Sequence, residues 1–375
     1  SDPGSEELLR MEDFPSSLAQ ELAFRGLLPL MMDNDSLPAV LRLLGYFMGA
    51  GAFDGKKTCF YGSKEGMEQL REDVFRVGYM PSKVITRERN SVINGKRFRG
   101  IENSVHVNAG SFTTLLKKLG APAGKKTLSD FYVPRAALSA PLWLQRCFLS
   151  GYFGAEMNKP QTINGCNFEP PVASCTKANG NVKSGIAFLK QIGNMLEAFG
   201  VKTSGIYEED LGSKVRLKLQ LSTKSASLIS LWSKVGYSYS PKRQRLAMAA
   251  VSWLRMKESA IAERQDIALA ITASKKSGAS FIQAAYAVPQ DANVNFRFMQ
   301  RSYFEPRATS PRVPEAFPRF EQWVKSSLEG DIVWDEAMRY PEETDPPGQE
   351  FTAAKSGDDK FSYGLWQRDV QRRHF

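Results

Sequence analysis

The chain has 375 residues, 42% of them hydrophobic, with a formal net charge of +10, enough to build two compact cores or one large core with an appendage. No apolar run approaches the roughly 20 residues of a bilayer-spanning helix, and the opening segment is no signal peptide, so a soluble protein of cytoplasm, nucleoid or nucleus is expected, with no membrane partner. Cys59, Cys147, Cys166 and Cys175 are scattered without metal-ligand spacing and the only histidines are His106 and His374, which argues against zinc and against a disulfide framework.

Charge is unevenly spread. Residues 1–37 carry eight acids and two bases, residues 329–375 eleven acids and six bases, and residues 38–328 carry 42 bases and 21 acids. A body of net +21 between acidic ends is the electrostatic footprint of a nucleic-acid binder.

In chain order, the acidic N-terminal extension (1–37) holds an amphipathic helix over 16–24. Residues 38–50 form an apolar helix, 53–61 a strand, and 64–77 a helix with Met67, Leu70, Val74 and Val77 on one face. Residues 83–89 and 98–108 pair around the turn-prone Asn94-Gly95. Ser111 caps a helix carrying Leu115, Leu116 and Leu119, and Gly120 ends it. The pattern then recurs: helix 142–155, strand 167–175, helix 185–199, strands 201–208 and 214–221, helix 224–234. Beyond Tyr239, residues 246–274 give one or two helices, 279–288 a short helix, 289–293 a break, and 294–304 a basic helix carrying Arg297 and Arg301. That order fits a helix-turn-helix and equally a small helical cap. Residues 307–314 read as an extended basic arm and 317–324 as a closing helix. Residues 341–359, rich in Pro, Gly and acids, read as disordered.

Two stretches are nearly alike: Leu43-Leu44-Gly45-Tyr46-Phe47-Met48-Gly49-Ala50-Gly51 and Leu149-Ser150-Gly151-Tyr152-Phe153-Gly154-Ala155-Glu156-Met157. Gly45 and Gly49 lie one helical turn apart, as do Gly151 and Ala155, so each helix has a face without side-chain bulk. Glycine inside a helix costs up to about 1 kcal/mol relative to alanine, which close helix–helix packing would offset.

These motifs resemble the LAGLIDADG motif of homing endonucleases in the two-repeat, single-chain form of archaeal and intein-borne members. Leu119-Gly120-Ala121-Pro122-Ala123-Gly124-Lys125-Lys126, Val133-Pro134, Pro141-Leu142-Trp143 and Trp232-Ser233-Lys234-Val235-Gly236-Tyr237-Ser238-Tyr239 are similar to their flanking segments. The resemblance covers residues 38–325 and implies an α+β fold: two pseudo-symmetric αββαββα repeats (38–135 and 136–240) forming a saddle, a C-terminal helical, helix-turn-helix-like module (241–328) and an acidic tail (329–375). No intein splicing block is recognisable at either end, so the chain is expected to be free-standing or cut from a larger protein. A monomer is expected.

In Lys214-Val215-Arg216-Leu217-Lys218-Leu219-Gln220-Leu221, period-two alternation puts Lys214, Arg216, Lys218 and Gln220 on one face, where they can reach phosphates and base edges. The first repeat supplies Arg87, Arg89, Lys96, Arg97 and Arg99. The resemblance further implies an acid at the foot of each motif helix, binding divalent metal at the scissile phosphates. Glu156 fills that place in the second motif, and Ala50, which can ligate nothing, occupies it in the first. Asp54 lies about 6 Å further along even if the helix continued. Met48 and Gly154 replace an acidic consensus residue, and Met157 a glycine. Lys96 or Lys218 would stabilise phosphate charge if hydrolysis survives. The resulting expectation is a DNA-binding protein derived from a LAGLIDADG homing endonuclease, holding duplex DNA in a basic saddle, with double-strand cleavage lost. The alternatives are an active magnesium-dependent endonuclease or nickase using Glu156, and an RNA-binding, maturase-like splicing helper.

Overall fold

The computed structural model describes residues 6–93, 96–292, 294–305, 312–314 and 316–326, the side chains of 89–99 excepted. Two compact units divide the chain, one running to Met248 and the other starting at Ala249.

The first unit opens with β1 (Glu7–Leu9), α1 (Ser16–Phe24) and β2 (Leu30–Met31), β1 and β2 pairing antiparallel. This segment is a packed part of the fold: Leu22, Leu27 and Leu30 are fully buried. Helix α2 (Leu37–Ala50) follows, with a proline in its first turn, where the missing N–H breaks no helical bond. It stops where Gly51 turns extended and begins β3 (Gly51–Asp54), which pairs with β4 (Lys57–Gly62). One strand was expected over 53–61. Gly55, at φ 62°, folds it into a hairpin.

Helix α3 (Lys64–Arg76) is capped by Ser63, whose side chain accepts from the Gly66 N–H. Strands β5 (Ile85–Ile93) and β6 (Lys96–Val107) pair in continuous antiparallel register, and β4 joins β6 to give the order β3-β4-β6-β5. The expected turn at Asn94-Gly95 lies outside the described residues. Helix α4 (Gly110–Lys118) closes the repeat. Ser111 is not its cap: buried, it donates to the Glu21 carboxylate at 2.7 Å and accepts from the Tyr79 hydroxyl at 3.0 Å, tying α1 to the repeat.

After α5 (Arg135–Leu138) comes α6 (Leu142–Glu156), then β7 (Val172–Ala178), α7 (Val182–Glu197), β8 (Thr203–Asp210), β9 (Lys214–Leu221) and α8 (Ser225–Ser230), which runs into a π-turn at Leu231–Val235. The sheet order is β7-β9-β8. A strand was expected from 167, but Pro170 and Pro171 lack the N–H a ladder needs, and β7 begins only at Val172. Before them Thr162 and Phe168 form an isolated bridge around Gly165 (φ 79°). The second half therefore lacks one strand of the first half's set.

Helices α2 and α6 form the shared spine of this unit, with Leu41, Leu44, Phe47, Phe148, Leu149 and Phe153 fully buried. A Cβ on Gly45 would collide with the Phe148 carbonyl oxygen, and one on Gly151 with that of Arg42. The backbones thus meet at reciprocal positions, and the small residues are required there. A buried polar network braces the spine. Arg42 donates to both Asp73 carboxylate oxygens, from Nε at 2.8 Å and Nη2 at 2.9 Å, and the Tyr239 hydroxyl donates to the same carboxylate. Tyr239 has φ 57°, which costs a non-glycine residue about 1–2 kcal/mol, and its carbonyl sits against Gly66, where any Cβ would collide.

Helix α9 (Pro241–Lys276) is one continuous helix rather than two and leads into the second unit. There α10 (Phe281–Tyr286), α11 (Phe296–Phe304) and α12 (Phe320–Ser326) follow. Trp253 packs with Phe317 and Phe320, and Phe281 packs with Phe296, Tyr303 and Phe304. The connection between α10 and α11 runs from Ala287 to Asn295, longer than the three-to-four-residue turn of a helix-turn-helix pair. The basic arm of 307–314 lies mostly, and residues 341–359 wholly, outside the described residues.

Candidate functional site

The feet of α2 and α6 converge. Seen from Gly49, a Cβ would lie 2.5 Å from the Ala155 Cβ and 2.8 Å from the Glu156 Cγ, so Glu156 folds over the space that Gly49 leaves. Two cations reach the same place from outside the helices. Lys126 Nζ donates to the carbonyls of Phe47 at 2.5 Å and Gly49 at 2.8 Å, at the C-terminus of α2. Arg243 Nη1 donates to the Gly154 carbonyl at 2.8 Å, at the C-terminus of α6. Each helix is therefore capped at its negative end, α2 by Lys126 from the segment after α4 and α6 by Arg243 from the start of α9.

Local chain geometry sets both cations. Gly120 (φ 107°) and Gly124 (φ 78°) turn the segment after α4 back beneath α2. The fully buried Lys177 of β7 then pins it, donating to the carbonyls of Lys126 at 3.2 Å and Ser129 at 2.6 Å, with its ammonium 3.5 Å from the Phe131 ring centroid. Arg243 stands in the first turn of α9. Burial lowers the pKa of Lys126 to about 7, against an opposing pull from Glu156. Burial also raises that of Glu156, with Lys126 and Arg243 acting the other way.

A divalent metal does not fit this donor set. The helix C-termini contribute about −0.5 each, and Arg243 together with the protonated fraction of Lys126 opposes them and Glu156 with positive charge. Magnesium favours sites with several oxygen ligands, whereas here one carboxylate faces two cations and Ala50 offers none. Among the described residues no group of three His, Cys, Asp or Glu side chains is placed to hold a metal. Asp54 does not stand in: it lies exposed in β3, paired with Lys57 at 2.7 Å. Met48 is buried core, Gly154 takes the close approach of the Ser238 carbonyl, and Met157 forms a bridge with Ala173.

The basic sheet face is more open. Along β9 the exposure alternates: Leu217, Leu219 and Leu221 are buried, while Lys214 and Arg216 are exposed and Lys218 and Gln220 partly so. Thr176 and Ser174 of β7 lie opposite Arg216 and Lys218 on this face. Glu209 of β8 also stands on it, pairing with Lys218 at 2.9 Å and Arg216 at 3.3 Å. In the first sheet Arg87 is exposed, in register with Glu102. The side chains of Arg89, Lys96, Arg97 and Arg99 lie outside the described residues, and their backbone forms the β5–β6 ladder. Arg297 and Arg301 are exposed on α11, in the other unit. Lys126, Arg243, Lys177 and Glu209 were not identified from sequence as site residues. Their partners are backbone carbonyls or a neighbouring strand, which leaves no local pattern.

No family model matches the chain. It is similar to a tRNA-splicing ligase RtcB of Pyrococcus furiosus, 31% identical over 329 residues, 84% of this chain and 33% of that protein. Another tRNA-splicing ligase RtcB, of Methanopyrus kandleri, is 28% identical over 340 residues, 87% of this chain and 33% of the relative. A DNA-directed RNA polymerase subunit Rpo1N of Methanocaldococcus jannaschii is 28% identical over 262 residues, covering 67% and 20%. The chain spans about a third of the length of the ligase-named relatives. Among solved structures, the homing endonuclease I-DmoI in complex with DNA and Ca gives 13% identity and a TM-score of 0.33 over 56% of this chain and 96% of that one. At that score it carries no argument.

These relatives correct the sequence-based expectation. They are named for an RNA ligase and a polymerase subunit, and none for a LAGLIDADG homing endonuclease. The reading as a DNA-binding, intein-related derivative of that family is therefore withdrawn. Gly-Tyr-Phe helices with small residues at one-turn spacing are a packing solution, and packing alone does not name a function. What this chain shares with its relatives is a segment, found under more than one name.

Proposed function

We propose that the chain is a nucleic-acid-binding module whose ligand is RNA. The observation that carries this is the row Lys214, Arg216, Lys218 and Gln220 on the solvent side of β9, at the centre of its sheet and within a body of net +21. A row of cations at two-residue spacing follows a phosphate backbone, and polar Ser174 and Thr176 beside it can reach sugar hydroxyls. The relatives named tRNA-splicing ligase support RNA over duplex DNA as the ligand. The maturase-like alternative drawn from the sequence agrees with this ligand class. In this reading Lys126, Glu156 and Arg243 hold the two helices in register so that the sheets keep their geometry.

The test is competitive binding of a structured RNA hairpin against duplex DNA of the same sequence, over a salt series. Tighter binding to the hairpin, weakened by Arg216→Ala with Lys218→Ala, is expected. Equal or tighter binding to duplex DNA would remove RNA from the proposal.

A further inference from the structure

One surface of the second unit is unlike the rest of it. On α11, the residues at Phe296, Arg297, Gln300, Arg301 and Phe304 are exposed and share one helix face, whereas Phe298, Met299, Ser302 and Tyr303 turn inward. The inward side is well held. Arg264 lies over the Phe298 ring at 4.3 Å, the Tyr303 hydroxyl donates to the Ala279 carbonyl at 2.7 Å, and Lys275 donates to the Tyr303 carbonyl at 2.8 Å. The outward side carries Phe296 at 61% and Phe304 at 56% exposure, and the adjoining α10 adds Ile282 at 64% and Tyr286 at 87%. Rings this large left in water are seldom neutral when several fall within one short stretch of chain.

Two features give the face a chemistry. Arg297 and Arg301 stand on it one turn apart, and among the described residues neither forms an ion pair. No carboxylate stands among the five outward residues. Phe281 packs against both Phe296, at 5.2 Å, and Phe304, at 5.5 Å, so the two exposed rings are braced by a common neighbour. Their Cα positions are separated by two helical turns, about 12 Å. Bases in a strand rise about 3.4 Å each, so the span matches roughly three bases.

We propose that this face of α10 and α11 binds an unpaired RNA segment, Phe296 and Phe304 stacking on bases while Arg297 and Arg301 hold the flanking phosphates. A basic face without aromatics would serve phosphate alone, and an aromatic face without arginines would serve a protein. The combination selects a polyanion with accessible π-faces, which paired strands do not offer. This inference rests on the RNA reading above and adds a second, separately testable surface to it.

The experiment uses the full chain with two fluorescent probes, a short unstructured oligouridylate and a blunt-ended RNA duplex. Phe296→Leu with Phe304→Leu keeps apolar bulk and removes both π-faces. It is expected to weaken oligouridylate binding by roughly tenfold or more, leaving duplex binding unchanged. Phe296→Tyr with Phe304→Tyr restores the rings and should restore binding. Arg297→Gln with Arg301→Gln should lower the single-strand salt slope by roughly 1.4, about 0.7 for each lost contact. Oligouridylate binding that is unchanged in the Leu pair overturns the inference while leaving the β9 face intact. Wild-type self-association lost in the Leu pair, with oligouridylate binding unaffected, assigns the face to a second copy and overturns it as well. Binding of neither probe by the wild type removes both readings together.

Discussion

Gly45 and Gly151 occupy reciprocal positions: a Cβ on either would enter the backbone carbonyl of the opposite helix, at Phe148 and Arg42 respectively. The obstruction is main chain, so a side-chain rotation cannot relieve it. Gly45→Ala and Gly151→Ala are each expected to destabilise the first unit by about 1–3 kcal/mol or more, as overpacking does. Chemical denaturation monitored by tryptophan fluorescence checks this. An unshifted midpoint for both variants would contradict the packing described.

The buried Arg42–Asp73 pair offers a second test. Asp73→Ala leaves the Arg42 guanidinium buried without its carboxylate, and removing one partner of such a pair costs about 3–5 kcal/mol. Tyr239→Phe removes one hydrogen bond to the same carboxylate and should cost about 1 kcal/mol. Thermal unfolding of the two variants should rank them in that order.

How much of this was legible beforehand varies with the kind of interaction. The run Leu37–Ala50 and the alternation along β9 are local patterns, and both emerge where composition places them. The requirement for small residues at Gly45 and Gly151 was also readable, because spacing alone puts them on one face. The missing strand before β7 could have been read from Pro170 and Pro171, which forbid a ladder. Lys126 and Arg243 were not legible. A lysine that binds the Phe47 carbonyl from a distance of 79 positions has no signature in the sequence. The family was misread for a different reason: the repeat specifies a scaffold, and the same scaffold serves many functions.

Glu209 pairs with Arg216 and Lys218 on the face proposed to hold nucleic acid. Glu209→Gln frees both cations and removes a carboxylate from that proposed binding face. Affinity for an RNA hairpin is therefore expected to rise several-fold at low salt, with a steeper salt dependence. Filter binding at two ionic strengths measures it, and a loss of affinity would show that Glu209 is itself a contact.

Stability should depend on pH through Lys126. Its pKa is about 7 in the folded chain and near the ordinary 10.5 when unfolded. Between those values the unfolded state holds more protons, so this residue's contribution rises with pH across that window and is least favourable below it. Lys126→Met should remove that slope. The difference between wild-type and variant unfolding free energies, followed from pH 7 toward 10, checks the sign.

Ala50→Asp would add a second acid at the foot of α2, next to Gly49 against which Glu156 packs, and so a second carboxylate ligand to a cluster that holds one. That variant is expected to bind manganese measurably by titration calorimetry, where the wild type does not.

The balance at the feet of α2 and α6 has a practical reach. A centre whose helix ends already receive hydrogen bonds from Lys126 and Arg243, both facing its single carboxylate, leaves no place for a further cation. Under the RNA reading proposed above, such a protein should keep its ligand in the presence of a chelator and be insensitive to swings in the metal supply around it.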